Sequence, residues 1–114
     1  GALLPRPTVK DAKTQEIRLI RGFDTAYRRM EWDKPAPTLT QKIHTIASDK
    51  KVHPSQNRTL SLYEAMILQT IADYPYKFSI GGKEASRNTI CQIIGESVPP
   101  KLIEMICRNI LSLY

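Results

Sequence analysis

The chain has little of what most catalytic centres are built from. Its 114 residues hold two cysteines, Cys91 and Cys107, and two histidines, His44 and His53. Neither cysteine has an electropositive setting that favours a thiolate, so neither reads as a nucleophile. Both fall in apolar helical patterns and read as free thiols of a cytoplasmic protein. There is no Cys-x-x-Cys and no His-x-x-x-His, so a zinc site is not expected. Gly-x-Gly-x-x-Gly and the phosphate loop are missing too. No apolar run approaches the ~18 residues of a membrane span. The N-terminus shows no basic region with a long apolar stretch behind it, so no secretory signal is expected. It starts at Gly1 rather than Met, which points to a processed or engineered end. This polypeptide alone is not expected to be a complete enzyme.

What is present suffices for one modest globular core: 114 residues with 41% apolar content. The net charge is +6, and it is unevenly placed. Residues 1–58 carry twelve Lys/Arg against six Asp/Glu, while residues 59–114 carry five of each. A basic surface concentrated in one half suits a polyanion such as nucleic acid.

Residues 1–16, polar and broken by Pro5 and Pro7, read as an arm or linker. Ile17 to Gly22 reads as a short strand or a turn of helix. Pro35-Ala36-Pro37 is a rigid extended entry. The alternation from Thr38 to Ile46 predicts a strand with Leu39, Ile43 and Ile46 toward a core, although these three do not keep a strict period of two. Ser61-x-x-Glu64 is a capping box that opens a helix over 62–72. Gly81-Gly82 marks a loop. A second helix is expected over 84–94, with Gly95 just past its end. Pro99 and Pro100 open a final helix over 99–112. In it Leu102, Ile106 and Ile110 form one apolar row and Ile103, Cys107 and Leu111 the next, a face built to pack on something.

Two DNA-binding readings arise from these residues. In the first, Arg28, Arg29, Lys34, Lys42, Lys50, Lys51 and Arg58 surround the predicted strand and its loop, with Thr38, Thr40, Gln41 and Asn57 among them. Cations set affinity through phosphates, and neutral polar groups help with positioning. In the second, residues 86–110 form a helix-turn-helix turning at Gly95. Its second helix offers only Lys101, Arg108 and Asn109 to read bases, and a groove-reading helix is richer in such groups.

Three stretches resemble one family in order and spacing. Arg28-Arg29-Met30-Glu31-Trp32-Asp33-Lys34-Pro35-Ala36-Pro37-Thr38 resembles the Arg-x-x-Trp-Asp-x-Pro-x-Pro-Thr lead-in of the DNA cytosine-5 methyltransferases. His53-Pro54, Arg58-Thr59-Leu60-Ser61-Leu62-Tyr63-Glu64-Ala65 and Leu68-Gln69 resemble their ninth conserved block. Gln92-Ile93-Ile94-Gly95-Glu96-Ser97-Val98-Pro99-Pro100 resembles the tenth. The likeness runs over roughly residues 28–112. Thr8-Val9-Lys10-Asp11-Ala12 is similar to the segment that precedes the family's variable target-recognition region, most of which is absent here.

The resemblance implies an α+β fold: a small antiparallel sheet or hairpin near 37–60 with about three helices, the C-terminal fragment of an α/β methyltransferase. Residues 1–27 would be an N-terminal arm and the remnant of the recognition-region linker. Residues 28–114 would be the methyltransferase segment, DNA-facing over 28–80 and cofactor-closing over 84–114. Such enzymes flip a cytosine from the duplex, attack C6 with a cysteine that follows a proline, and methylate C5 from S-adenosylmethionine. Cys91 follows Ile90 and Cys107 follows Ile106, so the resemblance assigns neither that role and implies no catalytic residue. It implies DNA contacts at Arg28, Arg29, Lys34, Thr38, Thr40, Lys42, His53 and Arg58. It implies that Glu96, Ser97 and Val98 help close the S-adenosylmethionine pocket. Glu96 departs from the common Asn, and Gln69 to Pro75 departs from the usual Gln-x-Phe-Pro. Arg58 and Glu64 would brace loop and helix rather than read bases. The implied partners are double-stranded DNA and the catalytic domain or large subunit of the same methyltransferase, with self-association through the last helix as the alternative. A cytoplasmic or nucleoid-associated bacterial protein is implied, with no metal and no membrane.

Overall fold

The computed structural model describes residues 2–20 and 24–114. The fold is α+β, in two compact units: Gly1–Pro37 with His44–Thr59, and Thr38–Ile43 with Leu60–Tyr114.

In the first unit, β1 (Thr8–Lys10) and β2 (Ile17–Leu19) pair antiparallel, with Val9 opposite Arg18. Of the two readings of Ile17 to Gly22, strand or turn of helix, Ile17–Leu19 form the strand; the end at Gly22 lies outside the described residues. The supposed arm contributes β1, which pattern reading missed. The turn between the strands is fixed by Asp11, whose Oδ1 accepts from the amides of Lys13 (2.8 Å) and Thr14 (3.1 Å). Those two amides hold its carboxyl below the usual carboxylate range. Ala26, Tyr27 and Val52 are buried, and single bridges join Arg29 to Val52 and Val52 to Thr59. Arg6 lies 5.7 Å over the Tyr27 ring.

The second unit holds α1 (Leu62–Leu68), the hairpin β3 (Ser79–Ile80) and β4 (Lys83–Glu84), α2 (Arg87–Glu96) and α3 (Pro100–Leu111). Leu39, Ile43, Leu60, Ala65, Ile71, Cys91 and Ile94 form its core. The predicted capping box is made: Ser61 Oγ accepts from the Glu64 amide at 3.1 Å, and Glu64 Oε2 accepts from the Ser61 amide at 2.7 Å. α1 packs against α2, whereas α3 packs against no other helix or strand among the described residues. No described helix is long and apolar enough to cross a membrane.

Four expectations are corrected. No strand forms over 38–46: residues 38–40 are irregular, and turns follow over 41–44 and from Ile46. Leu39 and Ile43 are buried at a spacing of four, and Ile46 is exposed, so burial here does not keep a strand's period of two. The sheet expected near 37–60 is reduced there to isolated bridges, and the paired strands lie at 8–19 and 79–84. The helix expected over 62–72 ends at Leu68. The second helix does not stop before Gly95 but runs through it to Glu96, capped by Ser97.

Gly95 is needed for a different reason from the one its sequence position suggests. It does not adopt the left-handed conformation of a helix stop. A Cβ placed there would lie 2.3 Å from the Gln41 nitrogen and 2.4 Å from the Thr40 carbonyl carbon. The backbone of residues 40–41 passes directly over α2, and only a residue without a side chain admits it.

Candidate functional site

Residues 53–58 of the first unit form a tied loop. His53 Nδ1 accepts from the amides of Ser55 (3.2 Å) and Gln56 (3.1 Å), which places its ring proton on Nε2. The ring is buried and meets Trp32 edge to face at 5.5 Å. The Arg29 guanidinium closes the loop from outside. Nη1 donates to the carbonyls of His53 (3.0 Å) and Gln56 (2.7 Å), and Nη2 donates to Asn57 Oδ1. Arg58 donates through Nε to Gln56 Oε1 at 2.5 Å and through Nη1 to the Thr59 carbonyl at 3.1 Å. The structure thus brings Arg29, His53 and Arg58 together, and their polar atoms bind the loop itself. Arg28 Nε is turned to the Asp24 carbonyl at 2.6 Å.

A planar fork of donors is what this loop demands of Arg29. Arg29→Met should lower stability by about 2–3 kcal/mol, from lost charged hydrogen bonds partly replaced by water. Arg29→Lys should recover only part of that, since one ammonium cannot reach three acceptors. Urea unfolding of the three proteins measures both.

Lys34 pairs with Glu31 at 2.7 Å, and Lys50 lies 3.7 Å from the same carboxylate. The Lys34 ammonium, chief among several influences, lowers the Glu31 carboxyl from 4.5 to about 2. Its contribution to stability is present above pH 4.5 and is lost as pH falls toward about 2. Glu31→Gln should therefore flatten the acid limb over that window, read by urea unfolding at stepped pH. An unchanged limb would show that this exposed pair contributes nothing.

Thr38, Thr40 and Lys42 belong to the second unit and are exposed. Thr38 and Lys42 make no hydrogen bond or ion pair among the described residues. They are the members of the predicted DNA-binding set that keep polar groups free for a ligand.

The turn after α2 is held from two sides. Glu96 Oε1 accepts from the side-chain Nε2 of Gln41 at 2.5 Å and of Gln92 at 3.1 Å. Its Oε2 has no such partner among the described residues. Ser97 is turned inward: its hydroxyl donates to the Ile94 carbonyl (2.8 Å), while buried Gln69 donates to the Ser97 carbonyl and hydroxyl (2.5 and 3.2 Å). Val98 is 58% exposed. Gln41 and Gln69 are the supports that sequence reading did not assign. Gln69 carried a signal, a polar residue on an otherwise apolar helix stripe. Gln41 carried none, because its role depends on the path of residues 40–41 across α2. No group of three or more His, Cys, Asp or Glu able to hold a metal occurs among the described residues.

The first unit carries a pinned basic loop, and the second carries a helix-to-helix turn followed by a helix with an exposed apolar face. Residues 6–112 match the family model of the C-5 cytosine-specific DNA methylases, and the chain belongs to that family. It is 38% identical over 102 residues to the Type II methyltransferase M1.HgaI of Avibacterium volantium, covering 82% of this chain and 28% of that protein. It is 38% identical over 89 residues to the Type II methylase M.HgiDII of Herpetosiphon aurantiacus, covering 78% and 25%. It is 26% identical over 98 residues to the Type II methyltransferase M.AquIB of a Picosynechococcus species, covering 79% and 66%. The chain spans about a quarter of the length of the first two; the third is itself a short protein. No solved structure matches the chain.

Proposed function

We propose that this chain is the DNA-facing and cofactor-closing C-terminal part of an enzyme that moves a methyl group from S-adenosylmethionine to C5 of cytosine in DNA. The supporting observation is α3. Leu102, Ile106 and Ile110 are each about half exposed on a helix that packs on no other element. A face of that kind calls for a cover. The family's remaining length supplies one: the catalytic domain, in the same polypeptide or in a separate subunit. M.AquIB shows that short chains of this sequence type occur.

Neither cysteine is the nucleophile in this reading. Cys91 is buried among core residues, Cys107 lies on α3, and neither follows a proline. The catalytic cysteine therefore belongs to the partner region. Glu96 and Val98 fit a cofactor-closing role: the free Oε2 accepts from an ammonium or hydroxyl, and the exposed valine offers apolar contact. Ser97 does not fit as a direct ligand, since its hydroxyl is engaged inward. Bound there, S-adenosylmethionine would supply an electrophilic methyl group. Lys42 and Thr38 are the proposed phosphate contacts, with Arg28, Arg29, His53 and Arg58 shaping the loop beside the basic surface of their own unit. The helix-turn-helix alternative loses its basis, because α2 and α3 do not pack together and α3 exposes apolar side chains.

The test combines this chain with M1.HgaI shortened by its matching segment, cytosine-containing DNA and S-adenosylmethionine carrying a labelled methyl group. Label should enter DNA only when both proteins are present. Label transfer indifferent to this chain counts against the reading.

A further inference from the structure

The end of α1 is a complete Schellman turn. The Thr70 amide donates to the Ile67 carbonyl and the Ile71 amide to the Met66 carbonyl, both at 2.9 Å. The residue at the centre of such a turn is left-handed and is usually glycine, sometimes asparagine. Here it is Thr70, at φ +60. A β-branched residue is strained in that conformation and persists there where surrounding interactions hold it.

One such interaction lies 31 residues further along the chain. The first turn of α3 begins with Pro99 as N-cap and Pro100 next, and neither carries an N–H. No side chain of the local sequence caps the helix. The amides of Leu102 and Ile103 both reach the Pro99 carbonyl, at 3.1 and 3.3 Å. The Lys101 amide is then the one orphan donor of that turn. Thr70 Oγ1 accepts it at 3.2 Å, and the Lys101 ammonium lies 3.8 Å from Asp73.

We infer that Thr70 is the positioning residue for α3: its strained backbone aims a hydroxyl that caps α3 from the end of α1. α3 packs on no other element, so this joint sets the direction in which its apolar face is presented. The consequence for association rests on the reading that α3 docks on a catalytic domain; the cap itself does not.

Amide exchange at Lys101, followed by NMR in the full chain, tests the cap. Thr70→Val keeps the β-branch and removes the acceptor, and should speed exchange at Lys101 about five- to tenfold. Thr70→Ser keeps the hydroxyl and should stay within about twofold of the unaltered chain. Thr70→Gly relieves the strain yet loses the acceptor. It should raise the thermal midpoint while exchange at Lys101 accelerates as in the Val protein, a split that a purely structural role would not give. Lys101 exchange unchanged in both the Val and Gly proteins overturns the assignment. Affinity for the shortened M1.HgaI should fall severalfold with Val and Gly and hold with Ser. If exchange responds and affinity does not, the cap stands and the docking reading of α3 falls.

Discussion

Gly95→Ala should destabilise the chain by about 2 kcal/mol and lower its thermal midpoint by roughly 10 °C. The sign carries the argument. Gly95 lies inside α2 with ordinary helical backbone, where alanine is favoured over glycine by about 1 kcal/mol. On propensity alone the substitution would stabilise. Its Cβ, however, would meet backbone atoms of Thr40 and Gln41 at 2.3–2.7 Å, and a backbone segment cannot swing aside as a flexible side chain can. Residues 40–41 must lift from α2, and the Gln41 to Glu96 hydrogen bond goes with them. A circular-dichroism melt of the two proteins measures the shift, and the Gln41 amide resonance should move. A midpoint that rises instead would mean that residues 40–41 do not run over α2.

The same glycine shows where sequence reading succeeds and where it stops. Local signals were legible: the Ser61–Glu64 box, the prolines opening α3 and the Gly81-Gly82 turn follow from chemistry within a few residues, while the α+β class came with the family resemblance. Arg29, His53 and Arg58, named among the site residues, are joined around one loop, with their polar atoms holding the loop itself. Long-range facts were not legible. A glycine near a helix end reads as a stop because that is its commonest local use; close approach by a segment 54 residues away leaves no mark in the local pattern. Leu39 and Ile43 signalled burial correctly, yet burial every fourth residue was mistaken for part of a strand. Thr70 carried a misleading signal, since threonine gives no hint of a left-handed turn.

Ile106→Asp should leave the folded chain almost unchanged and abolish the proposed association with a catalytic domain. Ile106 is 44% exposed and sits centrally in the row Leu102, Ile106, Ile110. Since α3 packs on no other element, the substitution removes no packing between elements within the chain. The midpoint should move only slightly, within the range of a surface change plus the weaker helix propensity of aspartate. In a docked complex the same position is desolvated. Burying an isoleucine there is worth about 1.5–3 kcal/mol, and an unpaired carboxylate in its place adds a further penalty. A total near 4 kcal/mol weakens association about a thousandfold. The control lies on the opposite face, where Arg108 bonds Glu104 at 2.7 Å in an exposed i,i+4 pair. Arg108→Ala should cost little in either measurement, because such pairs contribute only a few tenths of a kcal/mol. Titration of both variants against the shortened M1.HgaI, beside their melts, separates the faces. Equal binding by the Ile106→Asp protein and the unaltered chain would remove α3 from the interface. A loss confined to Ile106→Asp would place the interface on the apolar rows and leave the polar face of α3 to solvent.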